Sequence, residues 1–214
     1  MKSKVLLLAL ATTALSLTSK AQLSFGLRTG VNFQNLNGED AGGHDFDYKM
    51  KTGFHIGVNA ELGVAPDFYV QPGLLFSTKG AKQELAGDDL KIKLSYLEIP
   101  INLLYKPALG PGKLLLGFGP YIGIAVGGKY KRGSDDVSLK FKNDIKSTDP
   151  DVYRTYKRMD FGGNLIAGYE LSSKISVQLN AQLGMSNLIP KYDGKKSDAK
   201  LKNTGFGISF GYRF

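Results

Sequence analysis

Side chains able to do covalent or metal chemistry are few in this sequence. It has two histidines and no cysteine, which excludes thiol nucleophiles and thiolate metal sites. His44 lies near Asp40, Asp45 and Asp47. An imidazole with carboxylates can hold a divalent cation only where several donors converge on one point. Ser134 stands beside Asp135 and Asp136, and Ser197 beside Asp198. A serine becomes a nucleophile only with a positioned base, and none of these spacings resembles a nucleophile motif. Serine and aspartate in such runs are ordinary turn formers, because their side chains bond the local backbone. Gly117 and Gly119 flank Phe118 inside an apolar run; they do not open a helix and so form no phosphate loop. No catalytic residue, metal site or cofactor is expected.

Five other charges carry more information. Arg28, Glu61, Glu98, Glu170 and Arg213 each fall on the small or polar side of an alternating segment. The last segment shows the pattern: Phe206, Ile208, Phe210, Tyr212 and Phe214 alternate with Gly207, Ser209, Gly211 and Arg213. Successive side chains of a strand point to opposite faces, so one face is apolar and the other holds the charge. Segments 23–34, 54–64, 68–77, 91–106, 113–130, 159–170 and 175–186 alternate in the same way. Pro72 is the awkward member, since proline cannot donate to a ladder.

A soluble β-sandwich also alternates, and three features decide against it. The connections switch regularly between long (36–49, 80–89, 131–157, 188–202) and short (65–67, 107–112, 172–173), as in outer-membrane barrels. The segments reach the roughly 9–11 residues that a tilted spanning strand needs. The aromatics sit at both ends of the apolar face: Phe25, Phe68, Tyr105, Tyr169 and Tyr212 near the short turns, and Phe33, Phe54, Phe76, Phe161 and Phe206 near the long loops. Two aromatic rings flanking an aliphatic band match membrane interfaces. The expected fold is all-β, an eight-stranded antiparallel up-and-down transmembrane β-barrel. The charged positions then point into a narrow lumen, which side chains fill. Buried charges must be paired, so Arg28 and Arg213 are expected to pair with Glu61, Glu98 or Glu170. The lysine- and aspartate-rich long loops read as solvated; the alternative is contact with phosphates of an outer-leaflet glycolipid.

Residues 1–21 read as a cleaved signal peptide: Lys2 and Lys4, an apolar run over 5–17, then Ser19-Lys20-Ala21. That leaves 22–214 as one barrel domain. The formal charge of +9 falls to +6 when Lys2, Lys4 and Lys20 leave with the peptide. An exported chain with its lysines in loops is not a nucleic-acid binder. No segment offers the roughly 18 apolar residues of a membrane helix, so spanning must be by strands.

The segment Tyr96-Leu97-Glu98-Ile99-Pro100-Ile101-Asn102-Leu103-Leu104-Tyr105-Lys106 resembles the "LEIP" strand of the PorT-like outer-membrane β-barrel family. Gly119-Pro120-Tyr121-Ile122-Gly123, Asp160-Phe161-Gly162 and Gly168-Tyr169-Glu170 resemble the strands after it. The resemblance covers nearly the whole exported chain and implies a bacterial outer-membrane location with periplasmic termini and extracellular long loops. It implies no catalytic residue. Some members are linked to a secretion and gliding-motility apparatus, so an envelope protein partner is an expectation beside a purely structural or surface-binding role. A small barrel enzyme or a narrow solute pore is the competing reading. Phe214 resembles the terminal aromatic read by the barrel assembly machinery.

Overall fold

The computed structural model describes residues 23–85, 88–133, 135–149 and 154–214. The signal peptide expected over 1–21, and Ser134, lie outside the described residues. Numbering only the strands that build the wall, the chain runs β1 Leu23–Glu39, β2 Lys49–Ala65, β3 Phe68–Leu85, β4 Asp88–Tyr105, β5 Gly112–Arg132, β6 Met159–Glu170, β7 Ile175–Gly184 and β8 Lys200–Arg213. Each strand pairs antiparallel with its sequence neighbour. β8 returns to β1 in register from Gly26 opposite Arg213 to Glu39 opposite Lys200. The ring therefore has no open edge, the condition for exposing a sheet to lipid.

The alternation sorts residues as expected. Leu27, Phe54, Ile99, Phe118, Leu179 and Phe210 are exposed on the outer wall, while Arg28, Gln71, Asn102 and Ser209 are buried inside. Aromatic pairs form across neighbouring strands at both rims. Phe68 stacks on Tyr105 with centroids 4.8 Å apart at the short-turn end. Phe33 meets Phe206 at 5.3 Å and Phe54 meets Phe76 at 5.9 Å towards the long loops. The β3–β4 ladder skips the stretch after Pro72 opposite Pro100, where a ring nitrogen cannot donate.

The long-loop end departs from expectation. The described residues of 80–89 are not a loop: the β3–β4 ladder continues to Leu85 opposite Asp88. The other long loops are not simply solvated. Lys191–Tyr192 bridges Asp144–Ile145 in parallel and stitches 185–199 to 135–149, and Thr155–Tyr156 bridges Lys140–Phe141 in the same way. Lys157 N–H donates to Leu188 O at 2.7 Å, and Leu188 N–H to Leu201 O at 2.8 Å. This closes a second, apolar core over the barrel mouth, in which Leu36, Ala81, Ile92, Leu94, Tyr156 and Leu188 are buried. The reason is visible along each strand: above the membrane band the inward positions change from polar to aliphatic, and they need a cover.

Candidate functional site

The lumen holds three levels of polar side chains. At the short-turn end Lys106 Nζ lies 2.8 Å from both Glu61 Oε2 and Glu170 Oε2. Arg213 pairs with Glu61, and Gln71 Nε2 donates to Glu61 Oε1 at 3.0 Å. Two cations thus balance two carboxylates contributed by β2 and β6.

Midway, Arg28 makes no ion pair with a described carboxylate. It donates through Nε to Ser209 Oγ at 3.1 Å and through a second nitrogen to Asn180 Oδ1. This corrects the expected pairing of Arg28 with Glu61, Glu98 or Glu170. Glu61 and Glu170 are taken by Lys106, and Glu98 by a lysine higher up. His55 shares this level, with Nδ1 2.6 Å from Asn32 Oδ1 and Nε2 2.8 Å from Ser209 Oγ. Both ring nitrogens are thus held within the buried hydrogen-bond network of this level. A cavity of about 40 Å³ remains among Arg28, His55, Ser77, Glu98 and Gln182, room for a few waters at most.

The upper level is the most buried. Lys79 Nζ lies 2.7 Å from Glu98 Oε1 and 3.1 Å from Asp160 Oδ2, and 4.4 Å from the centre of the Tyr121 ring. Asp160 also accepts from Tyr121 Oη (3.2 Å), Asn203 Nδ2 (2.8 Å) and Ser186 Oγ (2.8 Å). Gln182 Nε2 donates to Glu98 Oε2 at 3.1 Å. One carboxylate on β6 therefore ties β3, β5 and β8 across the lumen, directly beneath the apolar lid. The triad Lys79–Glu98–Asp160 carries one excess negative charge, and Arg28 acts on Glu98 through the field across the small cavity.

The structure brings Glu61, Glu170 and Arg213 together, places Glu98 a level above them and leaves Arg28 between. Sequence reasoning missed Lys79 and Lys106. Both continue the inward column of a strand, Lys79 after Leu75 and Ser77, Lys106 after Asn102 and Leu104. A charge count was the available signal. Two arginines against Glu61, Glu98 and Glu170, with Asp160 also inward, leave carboxylates that only further buried cations can balance.

The chemistry-bearing loop residues do not assemble. Asp40 Oδ1 accepts from the backbone N–H groups of Gly42 (2.8 Å) and His44 (3.0 Å), a local turn. These bonds, the one from His44 first, hold the Asp40 carboxyl below its usual range. Ser197 Oγ accepts from Ala199 N–H at 3.2 Å. Among the described residues no three His, Asp or Glu side chains gather as a metal site. A concavity of about 640 Å³ lies among the apolar side chains of Leu103, Phe118, Leu165 and Leu179, with none of the charged residues in its lining.

Solved structures similar to this chain include a major outer membrane protein of Thermus thermophilus (17% identity, 90% of this chain, 100% of that one, TM-score 0.46). Neisserial surface protein A shares 12% identity over 90% of this chain and 99% of its own, with a TM-score of 0.46. Ail, the attachment invasion locus protein of Yersinia pestis, shares 14% over 90% and 99%, with a TM-score of 0.42. No curated protein matches the chain significantly. Residues 16–190 match the family described as outer membrane protein beta-barrel domain. That match spans most of the chain, the closed antiparallel ring is a β-barrel, and the chain belongs to this family.

Proposed function

We propose that the protein is a non-enzymatic, non-conducting outer-membrane barrel whose role is structural or surface-binding. In this reading the long-loop end faces outward and both termini lie in the periplasm, following the rule that external loops are the longer ones. The observation that carries the proposal is the filled lumen. Ion-paired levels at Lys106 and Lys79 occupy it, and the lid built on Leu94 and Leu188 covers it. An ion crossing this barrel would have to break buried pairs and part an apolar core. Interaction with other molecules is therefore assigned to the outer surface. The PorT-like resemblance over 96–106 supports an accessory role beside an envelope complex concerned with secretion or gliding motility.

Planar-bilayer recording tests the closed lumen: the refolded protein inserts without single-channel steps, and steady steps would overturn the reading. Cross-linking followed by pull-down from membranes tests the accessory role. Recovery of a defined envelope protein supports it, and recovery of none leaves a structural role. Activity in a lipid-modification or protease assay that His44→Ala or His55→Ala abolished would establish an enzyme instead.

A further inference from the structure

Like charges directly opposite one another on adjacent strands destabilise a sheet. Cross-strand register nevertheless sets Lys49 opposite Lys82, Lys82 opposite Lys91, and Lys91 opposite Lys131. Nearer the membrane, Lys93 stands opposite Lys129. The residues that alternate with this row, Ala81, Ile92 and Tyr130, turn into the lid, so the lysines share the outer face of β2–β5. Lys51 stands within electrostatic reach of Lys82 and Lys93. The described carboxylates in contact with the row are Glu84 on Lys49, Asp89 at 3.8 Å from Lys91, and Asp136 at 3.3 Å from Lys129; Asp136 also stands opposite Lys131. Lys51, Lys82 and Lys93 make no ion pair with any described residue. The face carries an excess of positive charge that the fold itself does not neutralise.

Its height says what does. On β4 the outward column runs Ile101, Ile99, Leu97, Ser95, Lys93, and its apolar members are exposed on the lipid-facing wall. Lys93 follows Leu97 by four residues, roughly 13 Å along the strand and less in height because barrel strands tilt. That is where hydrocarbon gives way to headgroups, and a lysine stem can reach back towards the boundary. Resting on the membrane placement proposed above, we infer that this face binds the phosphate groups of lipid headgroups in the adjoining leaflet, with Lys51, Lys82 and Lys93 as the receiving ammonium groups. Phosphate oxygens accept from several ammonium groups at once, and a phosphate monoester's charge offsets more than one lysine.

The full chain is refolded into phosphatidylcholine bilayers with and without a minor fraction of phosphatidic acid, and binding of labelled phosphatidic acid is measured. Wild type is expected to prefer phosphatidic acid. Lys82→Gln/Lys93→Gln is expected to lose about fivefold of that preference per lysine, the factor that corresponds to roughly 1 kcal/mol for a basic residue at an anionic surface. The loop variant Lys195→Gln/Lys196→Gln keeps the preference. The thermal midpoint supplies a second readout with a change of sign. The Lys82/Lys93 variant melts above wild type in neutral lipid, where repulsion has been relieved, and below it in phosphatidic acid. Absence of any wild-type preference, equal loss in the loop variant, or displacement of the labelled lipid by inorganic phosphate would overturn the headgroup site. Conductance recorded in the same bilayers reports separately on the closed lumen: a silent barrel without lipid preference refutes this inference alone.

Discussion

Lys79 shows how one side chain can be both unfavourable and indispensable. Burying an ammonium group costs several kcal/mol, which only close partners offset. It has two carboxylates and the face of the Tyr121 ring. Lys79→Met leaves Glu98 and Asp160 facing each other without a cation, and should cost about 3–5 kcal/mol in urea unfolding from detergent micelles. Adding Glu98→Gln and Asp160→Asn removes the stranded charges and should restore most of the loss. A single variant as stable as wild type would show that the network is ornamental. The inward arginines and glutamates were legible in the sequence because each stands in an alternating run. Their partners were not, because a contact across the lumen joins residues 81 positions apart, as in Lys79 and Asp160, and alternation gives no account of facing walls.

The lid and the β1–β8 seam are the elements that close the molecule. At the seam, a β-carbon on Gly30 would fall 2.1 Å from the Ile208 carbonyl oxygen and 2.6 Å from the His55 ring. Gly30→Val should therefore lower the yield of heat-modifiable, closed barrel on gels; normal closure would mean that the seam can widen. In the lid, burial first and then Tyr48 and its other aromatic neighbours push the Tyr156 phenol well above its usual range. A phenol that stays protonated in the folded lid and ionises near pH 10 when exposed contributes stability that is complete below about pH 10. That contribution is lost as pH rises further. Protease cleavage within 139–158 should thus accelerate above about pH 10 while the barrel strands stay resistant. Leu188→Ala should open the same sites at neutral pH, at about 2–4 kcal/mol of local stability. The lid could not be read from composition, because its aliphatic residues are scattered singly among lysines and aspartates. Only the β3–β4 ladder and the two parallel bridges gather them.

At the scale of the whole molecule, charge and apolar surface are arranged by height. Apolar residues wrap the wall, aromatics mark both rims, and lysines crowd above one rim. Closure ends at Phe214, whose N–H donates to Phe25 O at 2.9 Å and whose ring meets Tyr212 edge-on at 5.3 Å. The residue is 60% exposed. Deleting Phe214 should reduce insertion into the outer membrane, measured by fractionation and heat-modifiability. Undiminished insertion would show that this aromatic is dispensable for assembly. A cysteine at Ser197 labelled by an impermeant maleimide on intact cells would confirm the outward orientation of the long loops, and protection would reverse it.

Alternation by itself determined eight strands, their lipid-facing and inward faces, the two aromatic rims and the presence of buried charge, since side-chain direction in a strand depends only on position along it. Only the tertiary structure decided that Arg28 is held by Ser209 and Asn180 rather than by a carboxylate, that Lys79 and Lys106 neutralise the lumen, that the polar loops fold into an apolar lid, and that lysines from four strands align in one row. Each of these depends on which residues of distant segments come to the same height around a closed ring. Strand register and closure set that height, and no single segment contains it.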